Sequence, residues 1–134
     1  MLLDPSVAVV GHDPTQLAVR ASVVDARGTG AGWFLSVAAY APGSSTSSRL
    51  IVAGAGATCL PDSACTLPVN GIAYPVAVGL TGARSMVFEA EPSSGLGAQR
   101  VEFRVYLAGA VPRGLSLSFS LATQPSALAA GSGP

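Results

Sequence analysis

The sequence predicts an all-β fold, an antiparallel sandwich of two packed sheets. Three observations carry this. Apolar and polar residues alternate with period two along four separate segments, the mark of strands with one face in a core. Sixteen Gly and ten Pro are spread through the 134 residues, and no window of 12 residues holds a helical apolar stripe free of both. Clusters of turn-forming residues recur between the alternating segments, at the spacing of a sandwich.

The elements follow in chain order. Leu3, Val7 and Val9 line one face of a strand in the first ten residues, and Pro5 restricts that strand to a sheet edge. Residues 1–16 are either an ordinary first strand or an arm that adds to the sheet edge of a neighbouring copy. Leu17, Val19, Ala21 and Val23 then alternate with Ala18, Arg20, Ser22 and Val24. Over 33–40, Trp33, Leu35, Val37 and Ala39 face one way and Phe34, Ala38 and Tyr40 the other. A strand apolar on both faces is central, or is covered by another segment or subunit. Weaker strands are expected at 49–53 and 74–80. Met86, Phe88 and Ala90 alternate with Val87, Glu89 and Glu91. Val101, Phe103, Val105 and Leu107 alternate with Arg100, Glu102, Arg104 and Tyr106. Leu115, Leu117, Phe119 and Leu121 alternate with Ser116, Ser118, Ser120 and Ala122. Turns are expected at 25–32, 41–48, 54–70, 80–84, 92–98 and 108–114. Seven to eight strands so spaced make an Ig-like antiparallel β-sandwich. Its domain spans 17–125, and 126–134 is a tail of small residues.

Composition narrows the function. Charged residues are 10% of the chain and apolar ones 49%, against about 25% charged in an average protein. The surface is therefore covered by Ser, Thr, Gly and Ala, with little charge repulsion between copies. Seven Arg balance seven acids without a basic patch, which argues against nucleic acid as a partner. Lysine is absent, excluding a phosphate-loop lysine, a Schiff base and lysine isopeptide cross-links. No apolar run approaches the ~18 residues of a transmembrane helix. Asp4 and Pro5 follow Met1-Leu2-Leu3 directly, so no secretory leader is read at this end.

Cys59 and Cys65 enclose five residues that include Pro61 and Asp62. Zinc would need more ligands, and a redox pair normally reads C-x-x-C. The spacing fits a turn closed by a disulfide, which would contribute roughly 2–2.5 kcal/mol. Two free buried thiols are the other reading. A disulfide implies an oxidising, extracytoplasmic location.

The most specific segment is Asp25-Ala26-Arg27-Gly28-Thr29-Gly30-Ala31-Gly32-Trp33-Phe34-Leu35. Gly28, Gly30 and Gly32 permit close backbone approach, and Asp25 can accept hydrogen bonds from turn amides. Arg27 can pair with Asp25 or lie over Trp33. Two readings stand: a corner whose indole plugs one end of the core, or a surface offering Trp33 and Arg27 to a glycan. A nucleotide loop is excluded, because the glycines precede a strand and no lysine follows.

This segment resembles the first motif of the WxL domain of Gram-positive surface proteins. Ser93-Ser94-Gly95-Leu96-Gly97 and Val111-Pro112-Arg113-Gly114 resemble that family's later loops, in order. Phe119-Ser120-Leu121, with Pro125 after it, sits where the family's second Trp-x-Leu closes the domain, with Phe in place of Trp. The resemblance runs from about Leu17 to Pro125. It implies an extracellular β-sandwich held non-covalently at the cell surface through peptidoglycan, and it carries over to Trp33, Leu35, Phe119 and Leu121.

Catalysis finds little footing. His12 is the sole histidine and sits in a turn beside Asp13 and Pro14, where a solvated role is the plain one. Glu89 and Glu91 could suggest a glycosidase pair. A cross-strand ladder with Arg100, Glu102 and Arg104 is the simpler expectation. No metal site is expected, since Asp4, Asp13 and Asp62 lack the spacing of a calcium loop, and no cofactor is expected. The sequence thus predicts a non-enzymatic, secreted structural protein that associates with copies of itself in a surface fibre or layer. Its alternative is a peptidoglycan-binding module.

Overall fold

A computed structural model describes residues 2–10, 13–25, 30–43, 48–108 and 114–123, with backbone alone for 8–10 and 13–15. It is an antiparallel β-sandwich, with no helix among the described residues. Nine strands are described: β1 (Leu2–Val10), β2 (Asp13–Asp25), β3 (Trp33–Tyr40), β4 (Arg49–Cys59), β5 (Cys65–Thr66), β6 (Val76–Gly79), β7 (Thr81–Ala90), β8 (Leu96–Ala108) and β9 (Ser116–Thr123). One sheet has six strands, in the order β1-β2-β8-β4-β6, with β5 paired to the end of β8. The other has three, in the order β7-β3-β9. The count exceeds the expected seven to eight because β5, two residues long, was not foreseen.

The alternating rows meet in the core. Leu17, Val19, Ala21 and Val23 of β2 and Val101, Phe103, Val105 and Leu107 of β8 are buried against Trp33, Leu35, Val37 and Ala39 of β3. Trp33 stacks on Phe88 with ring centroids 5.8 Å apart. Phe88 meets Phe103 of the opposite sheet edge-on at 6.0 Å. This aromatic file bridges the two layers in the offset and T-shaped geometries that ring quadrupoles favour. β3 is the central strand of its sheet, as its two apolar faces suggested.

Five expectations need correction. The turn at 54–70 starts too early, since β4 continues to Cys59. Ala55 and Ala57 face Phe103 and Val101 in register, while Gly54 and Gly56 take the outward positions. An Ala/Gly alternation has strand geometry without an apolar contrast, so periodicity cannot see it. Met86 does not face the core. A bulge between Leu35 and Ser36 in the β3–β7 ladder puts Val87 and Phe88 both inside and leaves Met86 exposed. Such an extra residue shifts every later side chain by one face. Finally, Glu89 and Glu91 form no ladder with Arg100, Glu102 and Arg104. β7 and β8 lie in different sheets, and Glu102 pairs instead with Arg20 of β2. Likewise 81–84, expected as a turn, opens β7, and Leu96 already belongs to β8.

Candidate functional site

The Gly-rich segment ends in a sealed corner. Trp33 is fully buried, and its Nε1 donates to the Gly95 carbonyl at 2.9 Å. Gln99 Nε2 donates to the same carbonyl and to that of Gly97, each at 2.9 Å. The Gly30 carbonyl accepts from the Ser93 amide at 2.7 Å, tying the two glycine loops together. Gly32 is required here, since a Cβ would lie 2.4 Å from the Ala90 carbonyl oxygen. Gly95 is required too, at φ +71°, because a Cβ would lie 2.6 Å from the indole nitrogen. Asp25 is buried at the end of β2. Arg27 and Gly28 lie outside the described residues. Leu35 and Val37 pair in register with Leu121 and Phe119 of β9. Three segments that the sequence singled out therefore converge, but as a core plug. No indole face is offered to a glycan, which overturns the ligand-surface reading of Trp33.

Cys59 and Cys65 form a disulfide, with Cα atoms 5.6 Å apart. It joins the end of β4 to β5, which pairs with Gly97 and Leu96. A Cβ on Gly97 would lie 2.6 Å from the Ala64 carbonyl oxygen, so the disulfide loop packs directly behind the corner.

The two edges of the three-stranded sheet differ. The outer edge of β7 is capped by the segment 69–74. The Glu91 amide donates to the Val69 carbonyl at 2.9 Å and the Glu89 amide to Asn70 Oδ1 at 3.1 Å. Tyr74 donates its hydroxyl to the Val87 carbonyl. Asn70 holds the cap together, accepting from the Ile72 amide at 3.1 Å and donating to the Tyr74 oxygen at 2.9 Å. Burial pushes the Tyr74 phenol above its ordinary pKa, partly offset by the Asn70 hydrogen bond. The sequence places 69–70 in a turn and Tyr74 at the start of a strand, whereas the strand begins at Val76 and Tyr74 belongs to the cap.

The edge formed by β9 has no such cap among the described residues. No strand pairs with its far side among the described residues, and its eight residues carry no charge. Leu117, Phe119 and Leu121 are only partly buried. Beside it, β1 lies in register with β2, matching Leu3, Pro5 and Val7 to Val23, Ala21 and Val19. These β2 residues are buried, yet Val7 is 45% exposed. The six-stranded sheet thus extends beyond the smaller one. The side chain of Val9 is outside the described residues.

A third feature was missed as a unit. The outward row of β8, Arg100, Glu102, Arg104 and Tyr106, crosses the face of the large sheet between depressions of about 400 and 380 Å³. Arg20 Nε lies 3.4 Å from Glu102 Oε1 across the strands. Among the described residues, no group of His, Cys, Asp and Glu could hold a metal ion, and no helix is long and apolar enough to cross a membrane. No family model, curated protein or solved structure matches this chain.

Proposed function

We propose that this protein is a non-enzymatic structural domain that associates with copies of itself at the cell surface, as a subunit of a fibre or layer. The observation that carries this reading is the edge of β9, unpaired among the described residues, beside the exposed apolar row of β1. An unpaired strand edge is a template for another chain, and proteins that stay monomeric blunt such edges with charge, proline or cover. Here β1 carries Pro5 and Asp4 and β7 is capped, whereas among the described residues no strand pairs with the far side of β9. A surface with 10% charged residues adds little repulsion between copies. The disulfide supports an extracytoplasmic location, and the resemblance to WxL domains supports the cell surface. Wall binding through a paired aromatic site finds no support, because Trp33 is buried.

The test is light scattering and electron microscopy of the purified protein beside a Ser116→Lys/Ser118→Lys variant. Both serines are exposed on the outward face of β9, so stability should change by less than about 0.5 kcal/mol. The parent should form oligomers or ordered polymers, and the variant should be a monomer. A parent that stays monomeric at high concentration defeats the reading.

A further inference from the structure

We infer that the outer face of the six-stranded sheet is a binding face for a polysaccharide that carries spaced carboxylates. The inference is independent of self-association and rests on the β8 row and the glycines beside it. Residues on β8 project outward at every second position, so Arg100, Glu102, Arg104 and Tyr106 form one ridge. Their neighbours on β4 are Thr58, Gly56 and Gly54. On β2, Arg20 stands opposite Glu102, with small Ala18 and Ser22 to either side. Long side chains beside small ones leave troughs along both flanks. One, of about 400 Å³, runs past Gln16, Ala18, Arg104 and Tyr106. The other, of about 380 Å³, lies over Gly56 between Thr58, Arg100 and Arg104.

The glycines have different reasons. Gly54 follows the bulge in β4, and a Cβ there would lie 2.5 Å from Arg104 Nη2. It makes room for the guanidinium. Gly56 has no such neighbour, since a Cβ would meet nothing within 4 Å. Glycine inside a strand weakens it by roughly 0.5–1 kcal/mol and marks places where a ligand or another backbone approaches closely. At Gly56 the protein itself supplies no such approach.

The charges identify the ligand. Arg20 and Glu102 satisfy one another. The side chains of Arg100 and Arg104 have no ion-pair or hydrogen-bond partner among the described residues. A guanidinium is a planar fork of donors matched to a carboxylate. Four residues of strand put the Cα atoms that carry these two forks about 13 Å apart. Tyr106, 42% exposed, stands at the end of the trough with a ring face for the apolar side of a sugar. Glu102 sits between the two arginines and suits hydroxyls. A nucleic-acid strand, with a phosphate on every unit, would set one against Glu102 and another near Asp4, which shares a separate depression with Ser22 and Arg100.

Binding of hyaluronate, with a carboxylate on alternate rings, is measured by calorimetry at low and physiological salt, beside neutral dextran and a thymidine oligonucleotide. Hyaluronate should bind, weakening with salt, and dextran should not. The Arg100→Gln/Arg104→Gln variant should lose at least tenfold in affinity while keeping its melting temperature. Gly56→Val, which fills the trough without meeting the fold, should lose binding with melting temperature unchanged or raised. Absence of hyaluronate binding, equal affinity in both variants, or equal or tighter binding of the oligonucleotide overturns the inference. Running the series in the Ser116→Lys/Ser118→Lys background separates this face from the β9 edge.

Discussion

The two edges of the small sheet solve the same problem in opposite ways. On β7, the outward-pointing groups of residues 87, 89 and 91 are each bonded to the segment 69–74, twice through side chains. On β9, a strand of serine alternating with Leu and Phe has its far side open among the described residues. The capped edge is also the side braced by the tryptophan corner. Ser94 accepts from the Val69 amide at 2.9 Å and donates to the Glu91 carbonyl at 2.6 Å. The cap and the corner therefore share one loop, whereas β9 rests on β3 and on the flank beneath β1. The lesson is that the β7 edge is closed by irregular chain anchored in the core, an anchor that β9 does not have among the described residues.

The largest expected effect comes from breaking the shared loop. In Gly95→Ala the new Cβ lies 2.6 Å from both Trp33 Nε1 and the Ala90 Cβ, at a φ of +71°. Displaced packing and a left-handed backbone together should cost about 3–4 kcal/mol. Urea denaturation followed by tryptophan fluorescence measures this directly, since Trp33 is the single indole. The emission of the folded variant should shift to the red as the corner loosens. A change below about 1 kcal/mol would show that the loop is not what braces the capped side.

Asn70→Ala is next. It removes one acceptor for two amides and one donor to Tyr74. The loss should be about 1–3 kcal/mol, because the Glu89 amide is left without its partner. The comparison also predicts a gain. With its cap loosened, β7 should behave as a second open edge, so light scattering should report larger assemblies than for the parent protein. Equal assembly size in a destabilised variant would show that removing the cap does not expose a competent edge.

These differences were only partly legible in the sequence. The inward rows of β2, β3, β8 and β9 could be read from period two, because Val, Leu and Phe contrast with Arg, Glu and Ser. Which strand lies beside which could not. β7 and β8 are consecutive in sequence yet lie in different sheets, and alternation records a face without recording a neighbour. The ridge residues Arg100, Glu102 and Arg104 were placed outward correctly, but the partner of Glu102 is Arg20, 82 positions before it. The trough at Gly56 escaped notice because Gly and Ala give no amphipathic signal. The cap escaped because its bonds come from Asn70 and Tyr74 side chains, whose targets depend on the tertiary fold. The motif at 25–35 marked a real junction. Its chemistry followed from the Gly95 carbonyl, which turns the indole inward.

The smallest effect separates the two edges by pH. Tyr74 donates to the Val87 carbonyl, and burial raises its pKa above the ordinary value. Its folded pKa therefore lies above its unfolded one of about 10. The protonated phenol is the form the fold prefers, so its contribution to stability is fully present below about pH 10 and is lost as pH rises through the folded value. Urea unfolding at steps between about pH 8 and pH 11 should show that decline in the parent. In Tyr74→Phe the neutral-pH stability should be lower, and the part of the decline due to this residue should vanish. β9 has no titratable side chain, so the assembly it supports should not follow Tyr74. Alkali should instead loosen the cap and add association through β7 in the parent, while Tyr74→Phe should already show that association at neutral pH. If parent and variant respond to pH identically in both stability and assembly, Tyr74 does not hold the capped edge, and the Asn70 bonds alone carry the contrast with β9.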